Sequence, residues 1–318
     1  MRRAGKAVVS VMTMVALLGG ETACGGPASR LSGSMAGSRV EPLSGAAADT
    51  AESVAANRSV VVAAVGDISP PRMGDQRATA RLTRSWNPKA VLVLGDLQYP
   101  SGGLADMRRY YNPTWGTLKA RTKPVPGNHE YRQRHARGYT AYFGKRAMPQ
   151  GHTYYSYNIN GWHVVALNSE IRASKRPGQL KWLRADLRKN RRRCVMAYWH
   201  RPRFSSGREH GSDRGMAPFW NALYKVRADV VLSGHEHNYE RFARQAPDAK
   251  KTTRGIRQFV VGTGGVGRYS FAKPVKNSQV RHKKYYGVLK LSLAPTRYYW
   301  NFVSVDGRIR DRGTTSCH

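Results

Sequence analysis

Acidic side chains are scarce in this sequence: 19 Asp and Glu stand against 54 Lys and Arg in 318 residues, a formal net charge of +35. The imbalance does not belong to a basic tail. Residues 1–24 hold three basic and one acidic side chain, and residues 25–58 hold three of each. Residues 59–318 therefore carry 48 basic against 15 acidic. Such a field attracts polyanions and phosphorylated molecules, or serves solubility or adhesion to a cell wall. Cysteine is nearly absent, with only Cys24, Cys194 and Cys317, too few for a disulfide-built scaffold. After residue 18 no stretch is apolar for long enough to cross a membrane, and no internal repeat is present. What is there, 40% apolar residues with seven Trp and seventeen Tyr, suffices to bury a sizeable core.

The first 24 residues have an export pattern. Arg2, Arg3 and Lys6 precede an apolar run from Ala7 to Leu18 and a Gly-Gly exit. That run is too short to span a bilayer comfortably and reads as a signal segment. Cys24 stands where a bacterial lipoprotein carries its acylated cysteine, but Glu21 occupies the place of the usual apolar residue, which favours simple secretion over a lipid anchor. The protein is thus expected to be secreted or associated with the cell envelope. Residues 25–58, rich in Gly, Ala and Ser, read as a flexible linker, and the folded domain is expected over 59–318. With Cys24 removed or acylated, Cys194 and Cys317 remain. In an oxidising compartment such a pair bridges; the alternative is one buried thiol and one frayed terminal one.

From Ser59 the texture changes. Val60–Val65 is a β-branched apolar run that suits a strand covered on both faces. A helix near Gln76–Trp86 and a second such strand at Ala90–Leu94 complete a β-α-β unit, hence a parallel pair. Strands are predicted at Trp162–Leu167, Cys194–Trp199 and Asp229–Leu232, with helices at Gly178–Asn190 and Phe219–Val226 between them. Shorter strands follow at Gln258–Gly262, Tyr286–Leu291 and Tyr298–Val305. Alternation giving way to consecutive strands predicts an α/β fold with mixed sheets covered by helices.

Five segments stand at predicted strand ends: Gly66-Asp67, Gly95-Asp96-Leu97-Gln98-Tyr99, Gly127-Asn128-His129-Glu130, His200, and Gly234-His235-Glu236-His237. In an open α/β sheet the carboxyl ends of neighbouring strands converge where ligands bind. Each segment alone is weak, since an Asp there is commonly a helix cap and an Asn a turn residue. Together they supply carboxylates, an amide and imidazoles, donors suited to Zn, Mn and Fe. A carboxylate can bridge two such ions, and an ion pair can clamp a phosphoryl group. A tyrosine among the donors favours Fe(III).

At these residues the chain resembles the calcineurin-like metallophosphoesterases, and within them the purple acid phosphatase group, over roughly Val60 to Phe242. Tyr99 occupies the place of the tyrosine that marks that group. The resemblance implies an αββα sandwich of two mixed β-sheets flanked by helices, and two metal ions. Fe(III) is expected on Asp67, Asp96, Tyr99 and His237, and Zn, Mn or Fe(II) on Asp96, Asn128, His200 and His235, with Asp96 as the bridge. It implies phosphate and transition-state contact for His129, and a phosphate-ligand or proton-donor role for His210. Glu130 is expected to orient His129 through a hydrogen bond. The implied reaction is in-line attack on phosphorus by a metal-held hydroxide. Two departures spare the donors: Ser69 stands where the family commonly has Gly, and Ala197-Tyr198-Trp199-His200 lacks the usual leading Val. The linker leaves no room for the fibronectin-like domain of the large plant enzymes, so their specificity is not carried over.

The leading expectation is a phosphomonoesterase, acid phosphatase-like, acting on a phosphorylated small molecule. A phosphodiesterase or nuclease is the alternative that the basic domain favours, because polyanions bind through many cation contacts. A third reading, an envelope polyanion-binding protein with a vestigial site, is opposed by the complete donor set.

Overall fold

The computed structural model describes residues 59–318; the export segment over 1–24, the Cys24 anchor and the linker over 25–58 lie outside the described residues. In chain order the strands are β1 (Val60–Val65), β2 (Ala90–Leu94), β3 (Thr122–Val125), β4 (Tyr155–Ile159), β5 (Trp162–Ala166), β6 (Cys194–Tyr198) and β7 (Val230–Ser233). They continue as β8 (Tyr239–Phe242), β9 (Arg257–Val261), β10 (Ser278–His282), β11 (Gly287–Ala294), β12 (Arg297–Ser304) and β13 (Ile309–Ser316). The longer helices are α1 (Gln76–Ser85), α2 (Arg137–Phe143), α3 (Gly178–Lys189) and α4 (Ala217–Lys225).

The apolar runs do what two-sided burial demands. β1, β2 and β3 are parallel neighbours, and β11, β12 and β13 extend their sheet antiparallel, in the order β13-β12-β11-β1-β2-β3. The second sheet runs β10-β8-β9-β7-β6-β5-β4, with β5, β6, β7 and β9 parallel. Alternate residues of the second sheet serve two cores. Val164, Met196, Val230 and Leu232 join the core shared with the first sheet. Their neighbours Val165, Val195, Ala197 and Val231 pack on Leu183 and Leu187 of α3 and on Phe219, Trp220 and Leu223 of α4. Two mixed sheets stacked between helices is the architecture that the sequence led us to expect. Among the described residues no helix is long and apolar enough to cross a membrane.

Four strands, β4, β8, β10 and β13, escaped sequence reading, and β3 was expected only as the strand ahead of Gly127, without bounds. Each is short or interrupted by charge or proline, so neither an apolar run nor clean alternation marks it. Cys194 and Cys317 are bridged, with Cα atoms 5.3 Å apart. Cys194 opens β6 and Cys317 follows β13, so the bond fastens the edge of one sheet to the interior of the other.

Candidate metal centre

The carboxyl ends of β1, β2, β3, β6 and β7 gather on one side of the stacked sheets, and each is followed within three residues by one of the candidate donors. Leaving the strand abruptly requires unusual backbone. Asp67, Asp96 and His235 take φ values of 59°, 49° and 73°, a left-handed conformation that costs a non-glycine residue about 1–3 kcal/mol and collects at functional sites. The glycines beside them make room for the donors. A Cβ at Gly127 would lie 2.2 Å from Asp96 Oδ1 and 2.8 Å from His200 Cδ2, and one at Gly234 would lie 2.5 Å from Asp67 Oδ2.

The side chains converge as two overlapping sets. Tyr99 Oη lies 3.0 Å from Asp67 Oδ1, from Asp96 Oδ2 and from His237 Nε2. His200 Nε2 lies 3.1 Å from Asp96 Oδ2, from Asn128 Oδ1 and from His235 Nδ1. All seven sequence candidates are therefore in one cluster, and Asp67, Asp96, Tyr99, His200, His235 and His237 are buried. Backbone acceptors aim the rings: His200 Nδ1 pairs with Leu94 O at 2.9 Å, and His237 Nδ1 with Gly267 O at 2.5 Å.

His129 and His210 flank the cluster. The His129 ring lies against Tyr99, its Nδ1 is 2.5 Å from Pro100 O, and its Nε2 is 3.9 Å from Asp96 Oδ2. His210 lies on the His235 ring with centroids 3.9 Å apart, more exposed than the rest. The expectation for Glu130 is corrected. It makes no hydrogen bond to His129; it accepts the backbone N–H groups of Asp96, Leu97, Gln98 and Gly127. Its side chain turns beneath the strand ends, where those amides would otherwise be buried without partners.

Sequence reading missed four neighbours. Tyr269 stacks on His237 at 3.8 Å, with no sequence signal to mark it. Glu236 accepts the N–H groups of His210 and Gly211 and so ties their loop to the Gly-His-Glu-His turn. Arg201 and Glu170 form an ion pair at the rim. They lie 31 positions apart, so no local pattern joins them.

Burial and charge set the protonation of the cluster in opposite directions. Burial raises Asp96, but the charge and hydrogen bond of His200 overcome it and hold the carboxyl below its usual range. Burial lowers His200, and Asp96 more than reverses that. The Tyr99 phenol is pushed far up by burial and then by Asp67 and Asp96. Burial depresses His235, helped by His200 and Arg201.

The model of the calcineurin-like phosphoesterases matches residues 60–239. The chain belongs to that family. It is 29% identical over 214 residues to probable purple acid phosphatase 20 of Arabidopsis thaliana, covering 59% of this chain and 48% of that protein. It is 29% identical over 271 residues to purple acid phosphatase 22 of the same plant, covering 76% and 60%. A purple acid phosphatase from yellow lupin (Lupinus luteus) seeds has the same fold, with TM-score 0.69 and 18% identity over 81% of this chain and 54% of that one. The chain spans about half the length of the first of these relatives. The phosphoesterase family implies a dinuclear metal site, and the cluster fits one: seven O and N donors in two sets, closed in by glycines where a side chain would intrude.

Gly127→Ala tests that fit. The added methyl must displace Asp96 or His200, so metal affinity should fall by about 10–100-fold while the far-ultraviolet circular dichroism stays unchanged. Metal titration of the folded variant measures it.

Proposed function

We propose that this phosphoesterase uses two cations to hydrolyse phosphate esters and prefers phosphomonoesters. The observation that carries the reading is the sharing of Asp96 Oδ2, 3.0 Å from Tyr99 Oη on one side and 3.1 Å from His200 Nε2 on the other. Two donor sets meet at one carboxylate. Asp67, Asp96, Tyr99 and His237 would hold one ion, and Asp96, Asn128, His200 and His235 the other. The phenol suits Fe(III), and the second set suits Zn, Mn or Fe(II). Such a pair supplies Lewis acidity toward a phosphoryl oxygen and an activated water. His129, fixed by Pro100, turns Nε2 toward Asp96 and is assigned to phosphate contact. His210, on the open side of His235, is assigned to phosphate contact or to proton delivery at the leaving oxygen. The monoester preference is supported by the acid phosphatase names of the relatives. A location outside the cell or in its envelope is supported by the Cys194–Cys317 bridge.

A second reading, a polyanionic diester substrate, is favoured by where the acids lie. Asp67, Asp96, Glu130, Asp229, Glu236, Glu240 and Asp311 are buried, seven of the fifteen acids in residues 59–318. The surface is thus more cationic than the formal balance. Hydrolysis of a nucleic acid should then fall steeply as salt is raised from about 50 to 200 mM, by about tenfold or more, whereas hydrolysis of an aryl monoester should change little. A higher kcat/KM for the polyanion across the series would favour the second reading.

Asp96→Ala removes the shared carboxylate and should lower hydrolysis at least about a hundredfold; near-normal turnover in a variant with verified metal content would refute the assignment. Iron-loaded protein should be coloured through Tyr99-to-Fe(III) charge transfer, and Tyr99→Phe should bleach it. An active, colourless wild type holding only Zn or Mn would remove iron from the reading and leave the hydrolase standing.

A further inference from the structure

Arg201 follows His200 directly, and three of its nitrogens have partners. Nε lies 2.8 Å from Glu170 Oε1 and Nη2 lies 3.1 Å from Oε2, a two-point fork. Nη1 lies 3.1 Å from His235 Nε2. The fork sits at the rim of the cluster, with the two side chains 21% and 12% exposed. Glu170 stands just beyond β5 and Arg201 just beyond β6, adjacent parallel strands, so both ends of the pair rest on the sheet. A guanidinium held this way is fixed in plane and position, with one nitrogen turned toward the donors.

That nitrogen has an acceptor only while His235 offers one. His235 Nδ1, 3.1 Å from His200 Nε2, is the ring nitrogen that faces the donor set. A neutral imidazole that gives the Nδ1 lone pair to a cation keeps its proton on Nε2. Arg201 has only hydrogens to offer, so with a cation on Nδ1 an N–H would face an N–H. Nη1 is then left to water or to an anionic oxygen that enters the cluster, since the side chain is 21% exposed.

We propose that Arg201 binds a terminal phosphoryl oxygen of the substrate and that Glu170 is its positioning residue, so that the pair selects phosphomonoesters over diesters. This rests on the phosphoesterase reading above. A monoester dianion has three terminal oxygens, enough to meet both cations and still present one to the guanidinium. A diester has lost one of them to its second ester group. A guanidinium–phosphate contact is charge-assisted, and here it would run through Nη1 alone, because Nε and Nη2 are held by Glu170.

The test uses the full chain loaded with metal, with metal content measured in every variant. Inorganic phosphate binding is followed by calorimetry, and kcat/KM is measured for an aryl phosphate monoester and for a diester with the same leaving group. Arg201→Ala should retain both metals, weaken phosphate binding by about 10–100-fold and lower monoester kcat/KM by a similar factor. The diester should lose less than about threefold, because the contact it forgoes is the one removed. Glu170→Gln should weaken phosphate by about 3–10-fold, and Arg201→Lys should restore part of the binding lost in Arg201→Ala, since the charge stays but the fork does not. Phosphate binding within about twofold of wild type in Arg201→Ala at full metal content would overturn the proposal. So would equal losses on the two esters, or loss of metal, which would make the arginine a support for His235. A metal-loaded wild type that cleaves neither ester would instead overturn the hydrolase reading, and the phosphate isotherms would still decide the role of Arg201.

Discussion

Glu130 lies buried beneath the candidate centre and accepts four backbone N–H groups, from Asp96, Leu97, Gln98 and Gly127. Those amides belong to the turns after β2 and β3, so one carboxyl fastens two strand ends together. Burial and the charge of Asp96 both push its proton affinity up, and the amides hold it back. Asp96 itself sits at φ 49°, a conformation that persists only where the surroundings over-determine it. Removing the carboxyl would leave four amides short of a partner, each at about 1–3 kcal/mol, and would free the one residue shared by both donor sets.

The donors come from both sheets. Asp67, Asp96, Tyr99 and Asn128 follow strands of the first, whereas His200, His235 and His237 follow strands of the second. Neither sheet holds a full set, so the cluster exists only when the two are stacked. Strand β6 is fastened across the stack at both ends. Its first residue is bridged to Cys317 beyond β13, and the residue two past its end, His200, meets Asp96 from β2. A cation held by such a cluster would bind the folded chain in preference to the unfolded one and so stabilise the stacking by mass action.

The strands most plainly legible in the sequence are those buried on both faces. β1, β2, β5, β6 and β7 are near-continuous apolar runs and need no partner to be recognised. β3 reads Thr-Lys-Pro-Val, and β8 reads Tyr-Glu-Arg-Phe, in which Glu240 is buried because Ser206 and Ser278 satisfy it. No local pattern announces a satisfaction that comes from residues more than thirty positions away. The same distance hid the role of Glu130, placed by sequence on its neighbour His129 but spent on amides across the turn. It hid the Arg201–Glu170 pair as well. The donors were legible for the opposite reason: residue type and position at a strand end, both local, were enough.

The shortage of acids acquires a structural meaning once their places are known. Asp229 accepts the N–H groups of Val195 and His318, and so holds the segment after β13 against β6. Asp311 receives Tyr239, Arg241 and Trp300. Glu236 and Glu240 hold the loop that carries His210. Carboxyls committed to interior donors are withdrawn from the surface, where the cations then outnumber them still more. At physiological salt the field of such a surface reaches about 8 Å, far enough to draw anions toward the whole face and too diffuse to choose among them. Choice must come from groups held in a fixed geometry. In this chain those are the donors at the strand ends and the guanidinium that Glu170 holds beside them.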